Sequence, residues 1–183
     1  MSEVKNALRN IVGQEYPYRG KILDLRIDTV LFPSGSRKVR EVVEHKPAVA
    51  LIAVDDEGKM ILVSQYRHAV DAEILEIPAG IIEEGEKPEY TAVRELQEET
   101  GLKPAKVEHI ADFWTSPGYS TELIYLYFVS DFTNSKLPED DDEFIKVKRF
   151  ASNEIAEMIK TGRIRDGKTI MAYYWYEAWK ARK

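Results

Sequence analysis

The sequence contains no cysteine, which excludes disulfides and thiolate metal sites and makes an intracellular chain the expectation. No uninterrupted apolar run approaches the ~20 residues of a membrane-spanning helix. The first residues, MSEVKNALRN, lack the apolar core of a secretory signal. A cytoplasmic protein with no membrane partner is therefore expected. Basic residues are also in deficit: 26 Lys and Arg face 32 Asp and Glu, for a net charge of −6. Without a basic footprint, nucleic acid is not an expected partner. A small anionic substrate stays open, because a few arginines and a cation reverse the sign locally. Histidines are few, and His45, His68 and His109 lack metal-ligand spacing; they are read as structural. No internal repeat, low-complexity tract or long linker interrupts the chain. What remains is 183 residues, 44% apolar and 10% aromatic, enough for one domain with a substantial core.

Acid is concentrated in one stretch, Gly80 to Leu102, which carries Glu83, Glu84, Glu86, Glu89, Glu95, Glu98 and Glu99. From Pro88 it reads as a helix, since proline suits the first helical turn and Gly101 is placed to close the C-terminus in the left-handed region. Glu95 lies one turn from both Glu98 and Glu99, so the three carboxylates share a face. Ala92 and Leu96 can point to a core. Most acidic helix faces are merely solvated. Here, however, the acids sit near the helix C-terminus, where the macrodipole disfavours them, and Arg94 is placed to hold a loop carboxylate, Glu86. Crowded carboxylates of this kind suit a hard divalent cation such as Mg²⁺.

Gly80, five residues, Glu86, seven residues, then Arg94-Glu95-Leu96-Gln97-Glu98-Glu99-Thr100-Gly101-Leu102 resembles the complete Nudix box, with no departure at a fixed position. Weaker similarity from about Tyr18 to Ala178 resembles the ADP-ribose pyrophosphatase branch. The resemblance implies Mg²⁺-dependent hydrolysis of ADP-ribose to AMP and ribose 5-phosphate, with Mn²⁺ or another divalent metal able to substitute. It implies that Glu95, Glu99 and the Ala79 carbonyl are metal ligands, that Glu98 holds a further metal or its water, and that Arg94 and Glu86 brace the site. The alternatives are another nucleoside diphosphate sugar or a dinucleotide as substrate. A non-turning-over ADP-ribose sensor is disfavoured, because no box glutamate is lost.

Away from the box, the acidic segment around Glu139–Glu143 reads by composition as a solvated loop. The resemblance instead assigns it the glutamate that deprotonates the attacking water or joins a metal. Glu143 is the best positional match, and Asp141 the runner-up. Pro117 stands sixteen residues after Gly101, the family's mark of ADP-ribose specificity, although prolines also occupy turns for local reasons. Arg40 and Arg67, near strand ends, could each be an ordinary surface ion pair. By resemblance Arg67 is a substrate-phosphate ligand, Arg40 a nucleotide contact and Glu76 a further substrate candidate.

In chain order, residues 1–15 suggest at most a short helix. Two strands follow, Lys21 to Phe32 and Lys38 to His45, around the turn signal Pro33-Ser34-Gly35-Ser36. Residues 47–54 form a continuous apolar run of buried-strand type, with the strand starting at Lys59 as its expected antiparallel partner across Asp55–Gly58. The apolar stretch Glu73–Gly80 leads into the glutamate helix, and further strands are expected over Val107–Ser116, Glu122–Ser130 and Phe144–Ala151. A helix capped by Ser152 and a second from about Lys168, with Met171, Trp175 and Trp179 as its core stripe, complete the chain. This mixture predicts an α/β fold, and the resemblance supplies its form: a Nudix-type α/β/α sandwich with a mixed sheet and an N-terminal β-hairpin extension. Residues 1–45 are assigned to the extension, for dimerisation and substrate contacts, and 46–183 to the hydrolase domain. An isolated hairpin is marginal, so it is expected to lie on the main sheet or on another subunit; the resemblance, whose family exchanges this region across a two-fold, implies a homodimer.

Overall fold

The computed structural model describes residues 10–137 and 145–182. The chain forms two compact units, one from Met1–Pro47 with Trp114–Leu123, the other from Ala48–Phe113 with Ile124–Lys183.

The first unit holds an antiparallel sheet of β1 (Asn10–Arg19), β2 (Leu23–Leu31) and β3 (Arg37–His45), in that order. The expected hairpin is thus a three-stranded sheet, and residues 10–15 are strand rather than helix. β1 was hard to see because Gly13 and Pro17 interrupt it. Both fall at irregularities, where the register to β2 shifts between Ile11 and Gly13 and between Glu15 and Tyr18. Bulges on an edge strand are where such residues are tolerated. Arg26 braces the middle strand, reaching Asp28 through Nε and Nη2 at 2.9 Å each and also pairing with Glu44.

The second unit is built around β4 (Ala48–Ala53), buried along its whole length. Its two-residue period divides the apolar run between two cores. Ala48, Ala50 and Ile52 join one cluster with Ile155, Met158, Ala172 and Tyr176, whereas Val49, Leu51 and Ala53 join another with Ala92 and Leu96. Helices therefore cover both faces, and the unit is an α/β/α sandwich. β4 pairs antiparallel with β7 (Ala79–Ile81) and parallel with β9 (Leu123–Asn134), and β8 (Leu102–Trp114) lies beyond β9. The sheet is mixed.

The expected β4–β5 hairpin does not form. β5 (Met60–Arg67) pairs instead with β6 (Ala72–Glu76) and β10 (Lys146–Phe150) in a separate sheet, and a single bridge, Val54 to Met60, links it to β4. The Asp55–Gly58 turn is present, with Asp55 Oδ1 accepting from the Glu57 and Lys59 amides at 3.0 and 2.9 Å. It redirects the chain into a second sheet instead of folding it back on the first.

The helices are α1 (Pro88–Thr100), α2 (Ser152–Lys160) and α3 (Gly167–Lys180). Ser152 is not the cap of α2 but its first residue. Glu154 satisfies the N-terminus instead, accepting from the Ala151 amide at 2.7 Å. On α3 the fully packed face is Thr169, Ala172, Tyr173 and Tyr176. Met171, Trp175 and Trp179 flank it, half-buried, because the helix rests on the sheet one residue round from the expected stripe. No helix among the described residues is long and apolar enough to cross a membrane.

Candidate functional site

α1 forms as its sequence dictates. Pro88 occupies the first turn, Ala92 and Leu96 are fully buried, and Gly101 closes the helix at φ 72°, its amide donating to the Gln97 carbonyl at 3.0 Å. The acids consequently project from one region of the helix, with Arg94 among them.

Arg94 organises the site. Nε donates to Glu86 Oε1 at 3.1 Å and Nη2 to Glu86 Oε2 at 2.9 Å, so the loop carboxylate is held bidentately. Nη1 reaches Glu98 Oε2 and Glu95 Oε1, each at 2.8 Å, and Nη2 also donates to the Ile81 carbonyl at 3.1 Å. One guanidinium thereby links strand β7, the loop after it and the helix. The Glu86 hydrogen bond, with Glu95 and Glu98 adding to it, holds the Arg94 pKa above its ordinary value against the opposing effect of burial. Reciprocally, the Arg94 hydrogen bond holds Glu86 below the usual carboxylate range.

Glu99 is buried and accepts from the Ala79 amide at 3.1 Å. Ala79 thus meets the acidic helix through its N–H. Glu95 lies over Gly80, where a built Cβ would overlap its carboxylate. Glycine is required by that close approach, and Gly80 carries no positive φ. Gly80→Ala is expected to push the Glu95 carboxylate aside and lower kcat ~10²-fold, the cost of an ångström-scale misplacement, measured by steady-state kinetics beside urea unfolding. A fully active Gly80→Ala enzyme would show that Glu95 placement is immaterial.

Among the described residues no three His, Asp or Glu side chains are gathered into a metal-sized cluster; Glu95 and Glu98 pair with Arg94. The donor chemistry nevertheless suits a hard divalent cation. Glu95, Glu98 and Glu99 offer carboxylate oxygens on consecutive turns, and Gly80 leaves the Glu95 head group its space.

The remaining sequence candidates divide between the units. Arg67 and Glu76 meet in the second, with Arg67 Nε on Glu76 Oε1 at 2.6 Å. Arg40 and Pro117 lie in the first. Arg40 is exposed, with its guanidinium carbon 5.8 Å from the Phe32 ring centroid. Pro117 is the second residue of a turn in which Tyr119 and Ser120 donate to the Ser116 carbonyl at 3.1 and 2.9 Å. That turn is tied to β3, the strand of Arg40, by Val43 donating to Tyr119 at 2.7 Å. Glu143 and Asp141 fall outside the described residues, but the start of their segment does not. Gln97 on α1 donates through Nε2 to Ser135 at the carbonyl (3.1 Å) and at Oγ (2.9 Å), and its own carbonyl accepts from Leu137 at 3.4 Å. The described chain that precedes the acidic segment is therefore bonded to the glutamate helix near its C-terminal end. Sequence reasoning missed the role of Gln97, and it missed Lys168, which pairs with Glu76, together with Asp166 and Thr169 bonded beside it. Nothing local in the sequence distinguishes them.

The NUDIX domain model matches residues 44–173, and the chain belongs to that family. Among its relatives is the ADP-ribose pyrophosphatase of Bacillus subtilis (strain 168), 37% identical over 98% of this chain and 100% of the relative. The methanol dehydrogenase activator of Bacillus methanolicus is 39% identical over 94% of each. A solved structure of an ADP compounds hydrolase superposes with a TM-score of 0.85 over 94% of each chain at 20% identity, a likeness that concerns the fold.

Proposed function

We propose that the protein hydrolyses the diphosphate of ADP-ribose, giving AMP and ribose 5-phosphate. The observation that carries the reading is the carboxylate set Glu95, Glu98 and Glu99, the first two held on Arg94, with Glu95 fitted over Gly80 and Glu99 accepting the Ala79 amide. The choice of ADP-ribose is supported by the ADP-ribose pyrophosphatase relative, alignable over nearly the whole of this chain, and by Pro117.

Glu95, Glu98 and Glu99, with the Ala79 carbonyl, would hold Mg²⁺, for which Mn²⁺ can substitute. When bound, the cation neutralises charge on the diphosphate and acidifies water. The protein does the rest. Arg67 binds phosphate oxygens and Arg40 packs on the adenine, tasks suited to a planar guanidinium. Glu143 takes the proton of the attacking water, which adds to phosphorus as the bond to the bridging oxygen breaks. Arg94 and Glu86 keep Glu95 and Glu98 in place throughout, as supporting groups around ligands generally do.

The enzyme is read as a cytoplasmic homodimer, with the first unit as the dimerisation and substrate-contact region. All ten residues of the edge strand β1 are exposed, including Ile11, Val12, Tyr16 and Tyr18. A second copy of the same sheet is the occupant such an unpaired apolar edge suits, and Arg40 would then serve the partner's nucleotide. A fully active monomer at micromolar concentration would refute this arrangement.

Comparing kcat/KM for ADP-ribose, ADP-glucose, NADH and a nucleoside triphosphate with Mg²⁺ tests the function. ADP-ribose is expected to lead. A clear preference for another of these would reassign the substrate and leave the chemistry intact.

A further inference from the structure

Glu76 is a charged residue placed where charge is costly. It is 1% exposed, and a carboxylate so buried requires partners. Among the described residues it has two, on different elements. Arg67 Nε holds Oε1 at 2.6 Å, and Lys168 Nζ, from the first turn of α3, takes Oε2.

Lys168 is itself anchored. Nζ donates to Asp166 Oδ1 at 3.0 Å, and Asp166 caps α3 through Oδ2, which accepts from the Thr169 amide at 2.9 Å and from its hydroxyl at 2.5 Å. Thr169 Oγ1 in turn accepts from the Ile77 amide at 2.8 Å. Glu76, the last residue of β6, and Ile77 just after it are thereby joined to two adjacent residues at the start of α3. Ala79 and Gly80 follow after Pro78.

We infer that Lys168 is a positioning residue for substrate binding, acting through Glu76 on Arg67. The inference rests on Arg67 being a substrate-phosphate ligand. With Lys168 on Oε2, Glu76 offers Arg67 one oxygen, which fixes the guanidinium through Nε while the side chain remains 40% exposed. Without Lys168, both carboxylate oxygens turn to Arg67, because a bidentate fork is the strongest pairing open to a buried carboxylate. The guanidinium is then drawn onto Glu76 and away from the diphosphate. The cation of α3 sets the reach of the cation on β5.

Lys168→Met keeps the stem and removes the charge. It is expected to raise KM for ADP-ribose about 10-fold, the size of one charge-assisted hydrogen bond, with kcat within about twofold, the signature of lost uniform binding. Lys168→Arg should restore most of the affinity. Arg67→Ala should raise KM at least as much, and adding Lys168→Met to it should change nothing further. Normal KM in Lys168→Met beside a raised KM in Arg67→Ala overturns the inference alone. So does an equal KM increase from Lys168→Met in both backgrounds, which would mean a structural effect not transmitted through Arg67. Normal KM in Arg67→Ala overturns the Arg67 reading and the inference with it. Should Lys168→Met not fold, Glu76→Gln is compared with Glu76→Gln/Lys168→Met: with no carboxylate left to fork onto Arg67, the second change should leave KM where the first put it, and a further rise in KM overturns the inference.

Discussion

Glu99→Gln is expected to fold as the wild type does and to lose at least ~10²-fold in turnover, the scale of removing one preorganised electrostatic contact from an active site. Glu99 is buried beside α1 and accepts the Ala79 amide, an interaction the glutamine carbonyl can reproduce. What the substitution removes is the negative charge. Electrostatics inside a partly dry site are stronger than in water, so the loss falls on cation affinity and turnover far more than on stability. Raising Mg²⁺ should recover part of the rate. Near-normal turnover at low Mg²⁺ would remove Glu99 from the site.

Glu143→Gln is expected to bind ADP-ribose and metal almost normally and to turn over at least ~10²-fold more slowly, the low end of a general base's contribution. The box glutamates are poor bases, because a carboxylate bound to a dication has given up much of its basicity. On the proposed mechanism the base comes from another segment, the acidic run before Phe144. Its preceding residues, Ser135 and Leu137, are bonded to Gln97 on the glutamate helix. Its following strand, β10, pairs with β5, the strand that ends in Arg67. The described residues on either side of the segment are thus bonded to elements that carry proposed site residues. Glu143 is preferred to Asp141 for its longer side chain at the strand boundary. The defect appearing in Asp141→Asn and not in Glu143→Gln would exchange their roles. If neither variant is impaired, the base is in the box, and Glu98 is the first residue to test.

Local physics made some of this molecule legible from sequence. The glutamate helix follows from Pro88, Gly101 and the buried pair Ala92 and Leu96, and the Arg94–Glu86 contact from a cation facing a loop acid eight residues earlier. The continuous apolar run around Val49–Ala53 was readable as a buried strand. The two cores it feeds became visible only once helices were seen on both faces. Pairing partners were less accessible. The turn at Asp55–Gly58 is chemically that of a hairpin, yet β5 joins β6 and β10, because burial on a second sheet outweighs a local turn preference. β1 was concealed by Gly13 and Pro17, which suit an edge strand only at its irregularities. The Lys168–Glu76 contact spans 92 residues, and neither residue announces the other.

The most direct test of the reading is product analysis of ADP-ribose incubated with the purified full-length protein and Mg²⁺, before and after chelation. Equimolar AMP and ribose 5-phosphate, abolished by the chelator and restored by added Mg²⁺, is the predicted result. Intact ADP-ribose at high enzyme concentration with Mg²⁺ present, or products formed undiminished under chelation, would contradict it.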